Sequence, residues 1–555
     1  MYFLLCLFPI FTILYLGKAK RFISSFTNDH SPKIQCLPKK DFFIGDWKSI
    51  CNNIENANDY HTANIKKYGT HQFSLPFSPI YINLEPNEEN LKHILLKNFT
   101  NYIKDDEQKL IFGELFGNGI FATDNIQWKN SRLLMSKFLL KTQPQLNKLF
   151  HDQVDNIVFP NDNLVEKFIN YNELINNINN VANNDVINDV INNNVSNDDL
   201  NDLNLVNDDL NDINLVNNDI NLVNNDVINV ANNDVNDVAN NDINDVANND
   251  INDVANNDIN DVANDIENDE LLKNNEQIDI QKLFFELTAK SSFQMIFGEN
   301  VNMYIALNCA EMFDKCQELM FKRYFKPWWR IEKYFNIGDE KIIKVYIKIL
   351  DEYCSDHFKN PDGLVKYCIE NGLNETDTRD VVMNMLIASR DTTATALTWC
   401  MYEIIKNPNL IDKLRTNEEF LMNFINETLR LHPPIPSDSK MVVNDDILPD
   451  GTHLPAKSII IYRAYAHGRL LYQDGTKFNS DGIHNKSAYY NPIFNAGPRI
   501  CLGKYIALLQ IKIVLSTLIK KYNFKGNIYE NPTWIPGITL RMKHGLYVSV
   551  NKRSV

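Results

Sequence analysis

This chain has no Cys-x-x-Cys pair, and its nine cysteines, an odd number, are scattered. That pattern excludes a disulfide framework and a structural zinc site, and it suits a reducing compartment. Basic residues are absent from residues 174–270, which carry twenty-two acidic residues. Removing those charges from the formal −16 leaves +6 for the remainder. The acidity therefore belongs to one tract, and the rest suits an anionic membrane surface or an acidic protein partner. No nucleic-acid partner is expected. Charge is also missing from residues 2–17, after which Lys18, Lys20 and Arg21 follow at once. A helix of that length reaches roughly 24 Å, short of a ~30 Å hydrocarbon core but close to the thinner reticulum bilayer. A cleaved secretory signal has positive charge before its apolar run and a small-residue cleavage site after it, and neither is present. Residues 1–21 are expected to be an uncleaved single-pass anchor in the endoplasmic reticulum, with the body in the cytosol.

The basic-free tract lacks regular periodicity as well. From Asp242 it repeats Asp-Ile-Asn-Asp-Val-Ala-Asn-Asn, and Val246, Ile251, Val254 and Ile259 alternate gaps of five and three. Asn and Asp side chains compete with helix ladders, and the gaps match neither helix nor strand. Residues 174–270 read as a low-complexity insertion that is expected to be disordered, a small repeat solenoid being the other reading. Around it, residues 40–173 and 271–552 read as one domain, mainly α with small β-sheets. Helical spacing runs through residues 380–406, 418–431 and 506–522, and strand-like runs occur at SPIYINLE, SIIIYRAY and GLYVSV.

One cysteine has a particular frame, FNAGPRICLG at residues 494–503. A thiolate is a soft, strongly donating ligand. Alone it makes no zinc or iron–sulfur site, but it can be the single protein ligand of a haem iron, whose porphyrin supplies four nitrogens. An inert buried thiol is the other reading of one cysteine. Gly497 and Gly503 allow tight turns and a close approach to the macrocycle. Backbone N–H groups at a following helix can hold the sulfur's charge. Arg499 can meet a haem propionate, and Phe494 can cover the sulfur.

These residues resemble the cytochrome P450 family, whose haem loop runs Phe-x-x-Gly-x-Arg-x-Cys-x-Gly. Phe494, Gly497, Arg499, Cys501 and Gly503 meet each position. The resemblance implies the P450 fold, haem b as cofactor and Cys501 as its axial ligand. Further motifs follow in the family's order. ASRDTTATALTW, residues 388–399, resembles the oxygen-binding helix, which implies that Asp391 and Thr392 deliver protons; an acid–alcohol pair can relay them through water. Ser389 stands where the family usually has Gly. In ETLRLHPPIP, Glu427 and Arg430 lie three apart on a helix, and the resemblance makes them a buried structural pair. The family's third member is an arginine, and here Gly482 holds its place in FNSDGI. GNGIFATDNIQWKNSR places Trp128 and Arg132 four apart, where the family donates to the second propionate.

LFGNGIFATDN, Arg390-Asp-Thr-Thr, ILPDGTHLP and ITLRMKHGLYVSV are similar to the eukaryotic fatty-acid ω-hydroxylase branch. The resemblance implies a monooxygenase that hydroxylates an apolar substrate, a fatty acid near its terminal carbon, with O2 and electrons from NADPH through NADPH-cytochrome P450 reductase. Ala388, where animal relatives often carry Glu, implies non-covalent haem. The aromatic-rich residues 321–329 read equally as channel lining, core or membrane contact. Two other readings stay open: a haem-thiolate enzyme that isomerises or dehydrates peroxides, and a haem-poor membrane protein whose Asn/Asp tract binds a partner.

Overall fold

Helices dominate because apolar residues recur at helical spacing and Asn or Asp residues close the helix starts. The computed structural model describes residues 34–37, 46–75, 79–157, 277–326, 328–480, 486–526 and 532–553. The expected anchor, the Asn/Asp-rich insertion and Gly482 lie outside the described residues. Every described residue belongs to one compact unit, Met1–Ile157 with Gln277–Val555.

The helices that position the site are α1 (Ala57–Tyr68), α2 (Asn125–Asp155), α3 (Ile280–Phe297), α4 (Met303–Lys322), α5 (Glu375–Ser389), α6 (Asp391–Lys406), α7 (Glu418–Leu431) and α8 (Lys504–Lys521). Asp279, Asn302, Asn374 and Asn417 cap α3, α4, α5 and α7 by accepting from backbone N–H groups in the first turn. Each such cap is worth about 1 kcal/mol. Pro144 lies inside α2 and removes one ladder donor there. The expected helix over residues 380–406 forms as two, α5 and α6, broken at Arg390.

Among the described residues eleven short strands make small sheets, as expected. They are β1 (Gln35–Cys36), β2 (His71–Ser74), β3 (Ile80–Asn83), β4 (Tyr102–Ile103), β5 (Gln277–Asp279), β6 (Asp438–Val442), β7 (Asp446–Ile447), β8 (His453–Leu454), β9 (Ile459–Tyr462), β10 (Tyr522–Lys525) and β11 (Tyr547–Lys552). The largest sheet runs β1-β2-β3-β9-β6-β4, a second runs β10-β11-β5, and β7 pairs with β8. In the second, Val548 sits opposite Ile278.

The main core joins α2, α3, α4 and α5 through residues such as Phe138, Phe293, Phe313 and Leu386. Burial of each contributes about 1.5–3 kcal/mol. Helix α6 is buried on nearly every side, which its apolar and small residues permit. Within it Trp399 stacks on His432 at 4.0 Å and donates to Leu540 O at 2.7 Å. Among the described residues no helix is long and apolar enough to cross a membrane.

Candidate active site

Cys501 stands between a single 3-10 turn, Gly497–Arg499, and the start of α8. Its N–H donates to Phe494 O at 2.8 Å, which closes the loop on itself. Gly497 has φ +62°, and a Cβ there would lie 2.3 Å from Leu95 O. Its glycine is therefore required by packing against residue 95, whereas Gly503 has an ordinary φ of −86° as the residue before α8. The Gly503 and Lys504 N–H groups are directed at the Cys501 sulfur. Burial pushes the Cys501 thiol above its ordinary value, while those N–H groups and the Arg132 charge pull it down. The sulfur is accessible to a water-sized sphere yet surrounded by protein, because it lines an interior cavity.

Beside it stands a wall of cations and one indole. Trp128 is buried, and the Arg132 and Arg499 guanidiniums lie 5.7 and 4.2 Å from its ring centre. Arg132 donates to Ile500 O at 2.7 Å, and Arg499 pairs with Asp124 at 2.5 Å. Trp128, Arg132, Arg499 and Cys501 are thus brought together from α2 and the loop. Lys440 extends this wall and was not among the residues expected from sequence. It is buried, and its Nζ donates to Asp438 Oδ2 at 2.8 Å, with Lys104 on Oδ1 at 3.3 Å and the Tyr462 hydroxyl on Oδ2 at 2.7 Å. Burial pushes Lys440 down to about 7. Burial works to raise Asp438, but Lys104 and Lys440 hold it well below the usual carboxylate range. The one sequence signal was Asp438 and Lys440 two apart in a strand, on one face.

Opposite the loop, the α5–α6 break presents Ala388, Ser389, Thr392 and Thr393 to the same cavity. Two hydroxyls bond back into the helix there: Ser389 Oγ donates to Met385 O and Thr392 Oγ1 to Ala388 O, at 2.7 and 2.8 Å. Such back-bonding weakens a helix locally. Asp391 does not line the cavity. Its carboxylate accepts from Arg390 at 3.0 Å and from Gln317 at 3.1 Å, and Arg390 makes a two-pronged pair with Asp314 on α4. Burial pushes Asp391 up to about 6 against the Arg390 charge, which lowers it. Thr392 is on the cavity wall and Asp391 behind it, so the expected pair is split between two faces of α6.

Glu427 and Arg430 form a buried two-pronged pair on α7, at 2.8 and 2.7 Å. The other Arg430 donors go to the carbonyls of Gly468, Gly475 and Lys477, and Glu427 also accepts from the Asn479 N–H. This pair fastens α7 to the segment that leads into the cysteine loop.

The cavity has a volume of about 620 Å³, within the range of small-molecule sites. Its walls carry apolar side chains such as Phe73, Phe112, Phe116, Met135, Leu139 and Ile387. From the aromatic segment 321–329, Phe321, Tyr324 and Phe325 line it, while Trp328 is half exposed and Trp329 is buried under Arg323. An iron porphyrin requires one soft axial donor, an apolar slot and cations for two propionates. The donor set fits. Cys501 faces the cavity with N–H groups on its sulfur, and desolvation strains Arg132, Lys440 and Arg499, a strain that a dianionic ligand relieves.

A family model described as Cytochrome P450 matches residues 234–533. The chain is 25% identical to Cytochrome P450 704C1 of Pinus taeda over 92% of both chains. It is 30% identical to the alkane hydroxylase MAH1 of Arabidopsis thaliana, over 51% of this chain and 68% of that protein. Among solved structures, CYP175A1 from Thermus thermophillus is similar with a TM-score of 0.61 and 14% identity, across 94% of this chain and 100% of that one.

Proposed function

The chain belongs to the cytochrome P450 family of monooxygenases, and on that premise we propose that it hydroxylates a long-chain fatty acid near its terminal carbon. The observation that carries this reading is the largely apolar cavity that both Cys501 and Thr392 line. The similarity to a protein named as an alkane hydroxylase supports a substrate with an unactivated hydrocarbon chain.

Haem b, bound through Cys501, supplies the dioxygen chemistry that oxidises a C–H bond. The protein binds, tunes and excludes. Arg132, Arg499 and Lys440 are the cations that would hold the propionates by charge-assisted hydrogen bonds. The Gly503 and Lys504 N–H groups stabilise the thiolate against its burial. Phenylalanine and aliphatic walls keep water from the hydrocarbon chain. The Thr392 hydroxyl lies on the cavity wall, and burial raises the Asp391 carboxyl behind it to about 6, close enough to neutral pH for it to take up and release a proton. To pass that proton on, Asp391 must turn away from Arg390 and Gln317. Electrons come from NADPH through cytochrome P450 reductase, docked on the basic side near the cysteine loop. Residues 1–21 anchor the enzyme in the endoplasmic reticulum membrane.

The absorption spectrum of the reduced, carbon-monoxide-bound protein tests the haem. A thiolate-type Soret band is expected, and its absence overturns the reading in favour of a haem-poor binding protein. A panel of fatty acids with NADPH and reductase tests the substrate. A terminal hydroxy acid is expected; turnover of fatty hydroperoxides alone, without NADPH, favours the isomerising or dehydrating reading.

A further inference from the structure

Arg463 directly follows β9 with an extended backbone, φ −119° and ψ 109°, so its side chain leaves on the opposite face from Tyr462. Tyr462 turns to Asp438 and the cations near the cysteine loop. Arg463 turns instead to Asn83, its Nε donating to Oδ1 at 2.9 Å. Asn83 is held in turn by the ring nitrogens of His61 and His71, each at 3.2 Å. Burial lowers both imidazoles, so the two histidines are neutral neighbours.

Arg463 is 6% exposed, and it lines the cavity where α1 and the 534–540 segment approach, beside Asn58, His61, Phe73 and Trp534. Nε is its one nitrogen with a protein acceptor, and no carboxylate pairs with it among the described residues. Its two terminal nitrogens are absent from the enclosed, unsatisfied polar atoms and so stay open to the cavity. Of the other cavity arginines, Arg499 pairs with Asp124, while Arg132 donates to Ile500 O and has the Cys501 sulfur as its neighbouring acid. Desolvation pushes Arg463 down to about 9, still cationic at neutral pH. A buried cation without a counter-charge is costly, and its planar fork matches one ligand chemistry best, a carboxylate.

We propose that Arg463 anchors the carboxylate of an anionic amphiphile whose hydrocarbon chain fills the central cavity. This rests on the fatty-acid reading above and names the residue that recognises the head group. Asn83 and the paired histidines orient the guanidinium, and the far end of the chain is thereby directed to the part of the cavity that holds Cys501 and Thr392.

The test is equilibrium dialysis of the full-length, haem-loaded protein with labelled hexadecanoate and with hexadecanol, the same chain without a carboxylate. Wild type is expected to prefer the acid. Arg463→Gln, which keeps a donor for Asn83, is expected to weaken hexadecanoate binding about ten- to a hundredfold while hexadecanol is unchanged. Arg463→Lys is expected to retain part of the acid preference. The thiolate-type Soret band of each variant should equal that of wild type. Loss of haem in Arg463→Gln overturns the proposal, since Arg463 then serves a propionate. Equal binding of acid and alcohol by wild type overturns the anchor alone. Binding of neither overturns the fatty-chain reading with it.

Discussion

Asp391 and Thr392 are sequence neighbours with different surroundings. Thr392 touches the cavity, whereas Asp391 is locked to Arg390 and Gln317. A local motif displays both residue types but not the hundred-degree turn between adjacent helical positions, nor a partner from α4. Asp391→Asn is expected to lower product formation about a hundredfold with an unchanged Soret band. A loss below threefold, read from product per unit haem, would remove Asp391 from the proton path. Buried histidines give the residue scale a second consequence. His467 is 1% exposed, with Nδ1 3.0 Å from Tyr490 O, and burial pushes it down to about 4. Unfolded, it titrates near 6.5, so between those values the unfolded chain binds more protons and stability falls as pH falls. The loss reaches about 3 kcal/mol by pH 4. A melting temperature followed from pH 7 to 4 should drop steeply in wild type and less in His467→Gln.

Elements show what sequence conveys and what it withholds. The cysteine loop and the Glu427–Arg430 pair were legible because each is contiguous: ten residues in one case, one helical turn in the other. The α5–α6 break was not legible, since apolar spacing runs straight through it and only the hydroxyls of Ser389 and Thr392 mark the site. Lys104 and Arg463 were missed for a different reason. Their partners Asp438 and Asn83 reach them through sheet topology, as when β3 lies beside β9. On α7, Glu427→Gln leaves Arg430 a buried cation without its carboxylate. Removal of one partner from such a pair costs about 3–5 kcal/mol. The variant should show lower haem content and a lower melting temperature, and an unaltered melting curve would mean that the backbone carbonyls suffice.

For the whole molecule, the described core and cavity are built from segments that precede and follow residues 174–270 in sequence. Loop-closure entropy rises only by about 0.6 kcal/mol per doubling of length, so a long insertion adds little cost to closing the chain. Deletion of residues 174–270 is expected to leave the thiolate-type Soret band and fatty-acid turnover within about twofold. Loss of haem on deletion would give the tract a structural role. The predominance of helix was readable from apolar periodicity. The pairing of strands far apart in the chain was not, because no local pattern specifies a distant partner. That pairing has a consequence for biosynthesis. Among the described residues β5 pairs with β11 alone, and the whole of α3 to α8 is synthesised between them. While the ribosome still holds β11, β5 has no sheet to join and offers an open edge to neighbouring chains. Closure of that sheet therefore waits for β11 to emerge.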